Sequence, residues 1–173
     1  MLNIPFLWSE LLKALAAWRM GRRFPRPPGT PMNDASPPSP GPGLCILIAD
    51  DDHDGAESLA LLLQIEGHTV HMAHDGNEAL VVAQRIRPQV SILDIGMPAM
   101  DGNSVASRLR ASMPGTRMLI VALTGRERPE DRQRSAAAGF DHHFIKPVVL
   151  SELHRCIARW REGEAVTTLD TKA

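Results

Sequence analysis

The sequence is short of three things that often reveal a protein's business. Its charges nearly cancel, with 20 acidic against 19 basic residues, so no bulk charge draws it to nucleic acid or to an anionic membrane. Cysteine is scarce. Cys45 lies in an apolar run and Cys156 in an amphipathic stretch, with no C-x-x-C pair. Both read as small buried hydrophobes, and nothing indicates a zinc site, a redox pair or an oxidising compartment. Long apolar runs are missing too, since no stretch reaches the ~20 residues of a membrane-spanning helix. The N-terminus also lacks the basic start of a secretory signal. A cytoplasmic protein is expected, and its 173 residues leave room for one ordinary domain with appendages.

The appendages come first. Ile4, Leu7, Leu11, Leu15 and Trp18 recur at helical spacing, with Arg19, Arg22 and Arg23 behind them. Residues 1–23 therefore contain a possible amphipathic helix. Residues 4–20 suit contact with a membrane surface or a partner's groove, or else form an extension of little consequence, which is the favoured reading. Residues 24–43 turn abruptly to Pro, Gly, Ser and Thr. Eight prolines there forbid helix, and the segment reads as an extended linker. Its loose P-x-x-P spacing at Pro37 to Pro40 is the weaker, SH3-ligand alternative.

From Leu44 onward strand and helix signals alternate. Strand-like runs cover Leu44 to Ala49, Thr69 to Met72, Val90 to Leu93, Met118 to Leu123 and His142 to Ile145. Helical stretches lie between them. Asp54-Gly55-Ala56-Glu57 and Asp75-Gly76-Asn77-Glu78 read as capping boxes for the first two helices. The third is expected over Ser104 to Ser112, the fourth from Pro129 to Ala138 and the last over Val149 to Trp160. Five βα units with short connections imply one parallel sheet with helices on both faces. The expectation is a flavodoxin-like, doubly wound α/β domain over residues 44–162, with strand order 2-1-3-4-5, five helices and a tail at 163–173. Strands one, three and four are nearly continuously apolar and suit the sheet centre, whereas the fifth suits an edge.

That strand order would gather Asp50, Asp51, Asp94, Thr124 and Lys146, followed by Pro147, at the C-terminal edge where ligands bind in such sheets. Packing does not explain the set. Crowded carboxylates need a cation or a proton to relieve them, and Mg²⁺ takes one or two carboxylates, a carbonyl and waters. A lysine opposite would neutralise an incoming anion, and a threonine hydroxyl could bind one of its oxygens. The combination describes a phosphoryl site with an aspartate nucleophile.

With these residues in place, the stretch from Leu44 to about Trp160 resembles the receiver domain of two-component response regulators. Ile46-Leu47-Ile48-Ala49-Asp50-Asp51 matches the family's first strand and acidic pair. Leu93-Asp94-Ile95-Gly96-Met97-Pro98, with Met100-Asp101-Gly102 behind it, matches the phosphoacceptor loop. Ala122-Leu123-Thr124-Gly125 matches the switch hydroxyl, and Phe144-Ile145-Lys146-Pro147 the lysine loop. The spacings agree as well: 124 − 94 = 30 and 146 − 94 = 52.

The resemblance implies that Asp94 accepts a phosphoryl group from a histidine kinase or a histidine phosphotransfer protein. It implies Mg²⁺ (or Mn²⁺) held by Asp51, Asp94 and the backbone carbonyl of Gly96, with Asp50 acting through a bound water. Lys146 would pair with Asp94 at rest and with the phosphoryl group afterwards. Thr124 would swing toward the phosphoryl oxygens, helped by backbone amides near Ile95 and Gly125. The Lys146–Pro147 bond is usually cis in the family. The protein would be a regulatory phosphoacceptor that catalyses its own Mg²⁺-dependent phosphorylation and dephosphorylation.

Three positions depart from the family pattern. The aromatic switch position holds His143, either a flat ring able to rotate inward or an exposed edge residue. A metal role for His142 beside it is discounted, because neighbouring strand residues point to opposite faces. Gly96 and Arg126 offer no carboxylate or carboxamide to orient water, which predicts a long-lived aspartyl phosphate. Asp50-x-Asp52 has the paired-aspartate spacing of haloacid dehalogenases but lacks the residue that follows it there.

Only Glu162 to Ala173 follow the last helix, too few for an output domain. A stand-alone receiver is therefore expected, signalling through a target protein and not through nucleic acid directly. Its output face would include Arg132, Arg134, His143, Glu152, Arg155 and Arg159. The alternative is a receiver-like interaction module that is not phosphorylated.

Overall fold

The computed structural model describes residues 43–125 and 129–164. The amphipathic stretch 4–20, the Pro-rich residues up to 42, Arg126 and the tail from 165 on lie outside the described residues. In chain order the elements are β1 (Cys45–Ala49), α1 (His53–Ile65), β2 (Thr69–Ala73), α2 (Gly76–Ile86) and β3 (Val90–Asp94). They continue with α3 (Gly102–Ser112), β4 (Leu119–Thr124), α4 (Pro129–Ala138), β5 (His142–Ile145) and α5 (Leu150–Arg161). All strands pair in parallel in the order β2-β1-β3-β4-β5. This is the doubly wound, flavodoxin-like arrangement expected from the sequence.

Alternation along the strands divides the core in two. Leu47, Leu93, Ile120 and Ala122 pack with Ala79 and Ala83 of α2 and Val105 and Leu109 of α3. Ile46, Ile48, Ile92 and Val121 pack with Ala60 and Leu63 of α1 and Leu153 and Ile157 of α5 on the other face. Every residue of β3 and β4 is buried, as the apolar runs require of strands covered on both sides. The edges are milder. Among the described residues no helix is long and apolar enough to cross a membrane.

The helix ends follow local signals in some places and tertiary contacts in others. Asp75 caps α2 by accepting from the amides of Asn77 (2.8 Å) and Glu78 (2.9 Å), and Glu78 reaches back to the amide of His74 at 2.7 Å. The cap of α1 is Asp52, not Asp54. Its carboxylate accepts from the Gly55 amide at 3.2 Å, while its own amide is drawn to Asp50 Oδ1 at 3.0 Å. Helix α3 starts two residues before Ser104, because Asp101 accepts from the Ser104 amide at 2.8 Å. Helix α5 starts at Leu150, with Val149 at the cap position and no side-chain bond there. At the C-terminal end of α1, Gly67 takes φ +93° and the His68 amide returns to the Leu63 carbonyl at 3.1 Å, a left-handed stop that suits glycine.

Candidate functional site

Strand ends build the site. Asp94 closes β3, the innermost strand, and is only 7% exposed. Asp50 follows β1 and is 4% exposed, its amide still paired to the Ala73 carbonyl at 3.1 Å. Asp51 is exposed. One carboxylate oxygen from each of the three lies within 4.8 Å of the others. Three anionic oxygens that close, two of them from buried residues, suit a hard divalent cation that keeps part of its water shell. The exposure of Asp51 leaves room for that water.

Lys146 enters from the far side of the sheet. Its amide donates to the Thr124 carbonyl at 2.7 Å, which carries the chain across the end of β4. Its Nζ lies 2.7 and 2.9 Å from the two oxygens of Asp50 and 3.2 Å from Asp94 Oδ2. The ammonium thus pairs with Asp94, as expected, and grips Asp50 more closely still. Burial pushes the Lys146 ammonium toward deprotonation, but the bond to Asp50 and the charges of Asp94 and Asp50 outweigh it and hold its pKa above the ordinary value. The Lys146–Pro147 peptide is cis.

Thr124 ends β4, is buried, and stands opposite Ile145. Gly125 follows it, with open space where a side chain would project. His143 pairs in register with Ala122 and is 7% exposed. It is therefore not an exposed edge residue, nor part of the accessible output face. By strand alternation it shares a sheet face with Thr124. His142 points the other way and packs on Phe144, with ring centroids 4.4 Å apart. Arg134, Glu152, Arg155 and Arg159 are exposed, and Arg132 is half-buried.

The loop after Asp94 is drawn tightly over the site. The Ile95 amide pairs with the Leu123 carbonyl at 2.9 Å, so it is already committed. The Gly96 amide faces the acidic group instead and donates to Asp94 Oδ1 at 3.1 Å. Met100 returns to the Pro98 carbonyl at 2.7 Å around Ala99, whose φ is +62°. A Cβ on Gly102 would fall 2.4 Å from the Asp94 carbonyl oxygen. Only glycine lets α3 begin so close to the aspartate.

The sequence and the fold both match a known family. The family model of the response regulator receiver domain covers residues 46–158. The chain belongs to this family. Receivers are regulatory phosphoacceptors that take phosphoryl groups from histidine kinases or phosphotransfer proteins at an acidic, Mg²⁺-binding pocket. The response regulator MprA of Mycobacterium ulcerans is 40% identical over 116 residues, 67% of this chain and 48% of that protein. The chain thus spans about half the length of MprA. An uncharacterized 14.6 kDa protein of Leptolyngbya boryana is 36% identical over 115 residues, 66% of this chain and 88% of that protein. Among solved structures, the chemotaxis protein CheY4 of Vibrio cholerae superposes with a TM-score of 0.64. It has 31% identity and covers 68% of this chain and 98% of its own.

Proposed function

We propose that this receiver accepts a phosphoryl group on Asp94 and signals by a protein–protein contact that the phosphorylated form favours. The observation that carries the reading is the position of Asp94. It is a buried carboxylate at the central strand end, within 4.8 Å of two further acids and 3.2 Å from an ammonium. An Asp94 oxygen attacks the phosphorus of a phosphohistidine on the donor protein. The P–N bond breaks, its electron pair stays on the imidazole nitrogen, and that nitrogen takes up a proton from solvent. The product is an aspartyl phosphate.

The oxygen donors fit Mg²⁺, which Asp51, Asp94 and the Gly96 carbonyl would hold, with Asp50 acting through water. The ion, when bound, neutralises phosphoryl oxygens as charge shifts between them. This chain's own groups orient and hold. The Gly96 amide fixes one Asp94 oxygen and leaves the other, near Lys146, to react. Lys146 moves from the carboxylates toward the new dianion, and the Thr124 hydroxyl donates to one phosphoryl oxygen. His143 lies buried on the Thr124 face, so a shift of Thr124 opens or closes the volume its ring occupies. Phosphorylation then biases the exposed surface of α4, β5 and α5, an equilibrium shift rather than a new fold.

Phosphotransfer tests this directly. A phosphorylated histidine kinase or phosphotransfer domain is mixed with the full chain and with Asp94→Asn. Label moving to the wild type alone supports the reading, and equal labelling of both proteins would refute it.

A further inference from the structure

Two of the three acids stand at strand ends, but Asp51 does not. Beyond Asp50 the chain has left β1, and Asp51 lies between that strand and the first turn of α1. What braces this loop sideways is a pair of histidines. The rings of His53, first residue of α1, and His74, in the β2–α2 connection, stack with centroids 3.7 Å apart and planes 11° from parallel. His74 is itself tethered. Its amide donates to Glu78 Oε2 at 2.7 Å, and its Nδ1 lies 3.4 Å from the Asp50 carbonyl. The next residue, Asp75, caps α2.

We propose that the His53–His74 stack is a clamp that positions Asp51 for the divalent cation, so that His74 and His53 are positioning residues for the metal site. The inference rests on the acidic-pocket reading above. Contacts run from the first turn of α2 through His74 to His53 at the start of α1, two residues along the chain from Asp51. Stacked aromatic pairs contribute enough to change an equilibrium roughly two- to twelvefold. Outer contacts of metal ligands act on affinity in the same direction. The stacking ring is what matters, and the imidazole nitrogens are secondary.

The test is Mg²⁺ titration calorimetry on the full chain, with amide hydrogen exchange over residues 51–55 in metal-free protein. His74→Ala and His53→Ala are each expected to raise the Mg²⁺ dissociation constant about three- to tenfold and to speed exchange at Asp52 and Gly55. The double variant should do little more than either single one, because both remove the same contact. His74→Phe, which keeps a stacking ring, should stay within about twofold of wild type, an outcome that general loosening of the fold would not give. Asp51→Asn is the control and should weaken binding far more. If Asp51→Asn weakens binding while His74→Ala leaves it unchanged, or if His74→Phe is as weak as His74→Ala, the clamp is refuted and the acidic pocket stands. If Asp51→Asn itself has no effect, both ideas fall together.

Discussion

Replacing Lys146 by methionine keeps most of the side chain's length and removes its charge. The ammonium lies 2.7 and 2.9 Å from Asp50 and 3.2 Å from Asp94, whose side chains are only 5% and 9% exposed. Breaking a fully buried ion pair by removing one partner costs about 3–5 kcal/mol, whereas exposed pairs are worth about 0–1. Lys146 is 29% exposed, so Lys146→Met should lose about 2–3 kcal/mol in metal-free buffer, between those limits. Mg²⁺ should offset part of the loss, because in the variant it no longer competes with the ammonium. Its affinity should rise at least about tenfold, equivalent to ~1.4 kcal/mol. At roughly 100 times its dissociation constant the ion adds about 2.7 kcal/mol, which brings the variant to about the stability of the metal-free wild type.

The sign with pH follows as well. The Lys146 pKa is raised in the folded state, so its contribution is complete below the ordinary lysine pKa of about 10.4. It fades as pH rises through the folded value, and the gap between wild type and variant should narrow there. Urea denaturation with chelator and with Mg²⁺ measures each quantity. A variant as stable as wild type in chelator, or one that binds Mg²⁺ more weakly, would refute the reasoning.

A Cβ at position 96 would stand 3.6 Å from Asp94 Oδ2, so Gly96→Asn places a carboxamide where it can orient water. It should shorten the aspartyl phosphate lifetime about tenfold, a small part of what full acid–base assistance supplies. Decay of the phosphorylated form followed by mass spectrometry checks this. Asp75→Ala removes both amide bonds at the start of α2 and should cost about 1–2 kcal/mol by thermal or urea unfolding. Burial lowers the pKa of His68, helped by the charges of Arg161 and His154, and it lowers that of His142, helped by His143 and Arg159. The unfolded chain then binds more protons below about pH 6.5, so stability should be full above that value and fall as pH drops past it. His142→Phe should flatten the slope in a series of unfolding curves.

Much of this was legible in the residues alone. The apolar runs ending in Asp50 and Asp94 announce central strands with charged ends, because a strand that is apolar on both faces has to be covered on both. Once the strand order is set, Lys146 and Thr124 arrive at the same edge without further assumptions. What escaped the sequence was decided by contacts between distant segments. Asp52 and Asp54 are equally good caps in isolation, and the bond from the Asp52 amide to Asp50 breaks the tie. The β3–β4 register assigns the Ile95 amide to Leu123 and leaves Gly96 to Asp94. How the Lys146 ammonium divides between Asp50 and Asp94 is set by side-chain reach across three strands. The His53–His74 stack joins the start of α1 to the β2–α2 connection, and no local spacing rule foreshadows it.

The central claim is that Asp94 is a working phosphoacceptor served by the acidic pocket. Intact-mass measurement of the purified protein after incubation with acetyl phosphate and Mg²⁺ tests it most directly, beside Asp94→Asn and a sample with chelator. The expected result is a single adduct of about 80 Da on the wild type only, as covalent capture by one carboxylate requires, with none in chelator. An adduct of the same size on Asp94→Asn, or no adduct with any phosphoryl donor although Mg²⁺ binds, would contradict it.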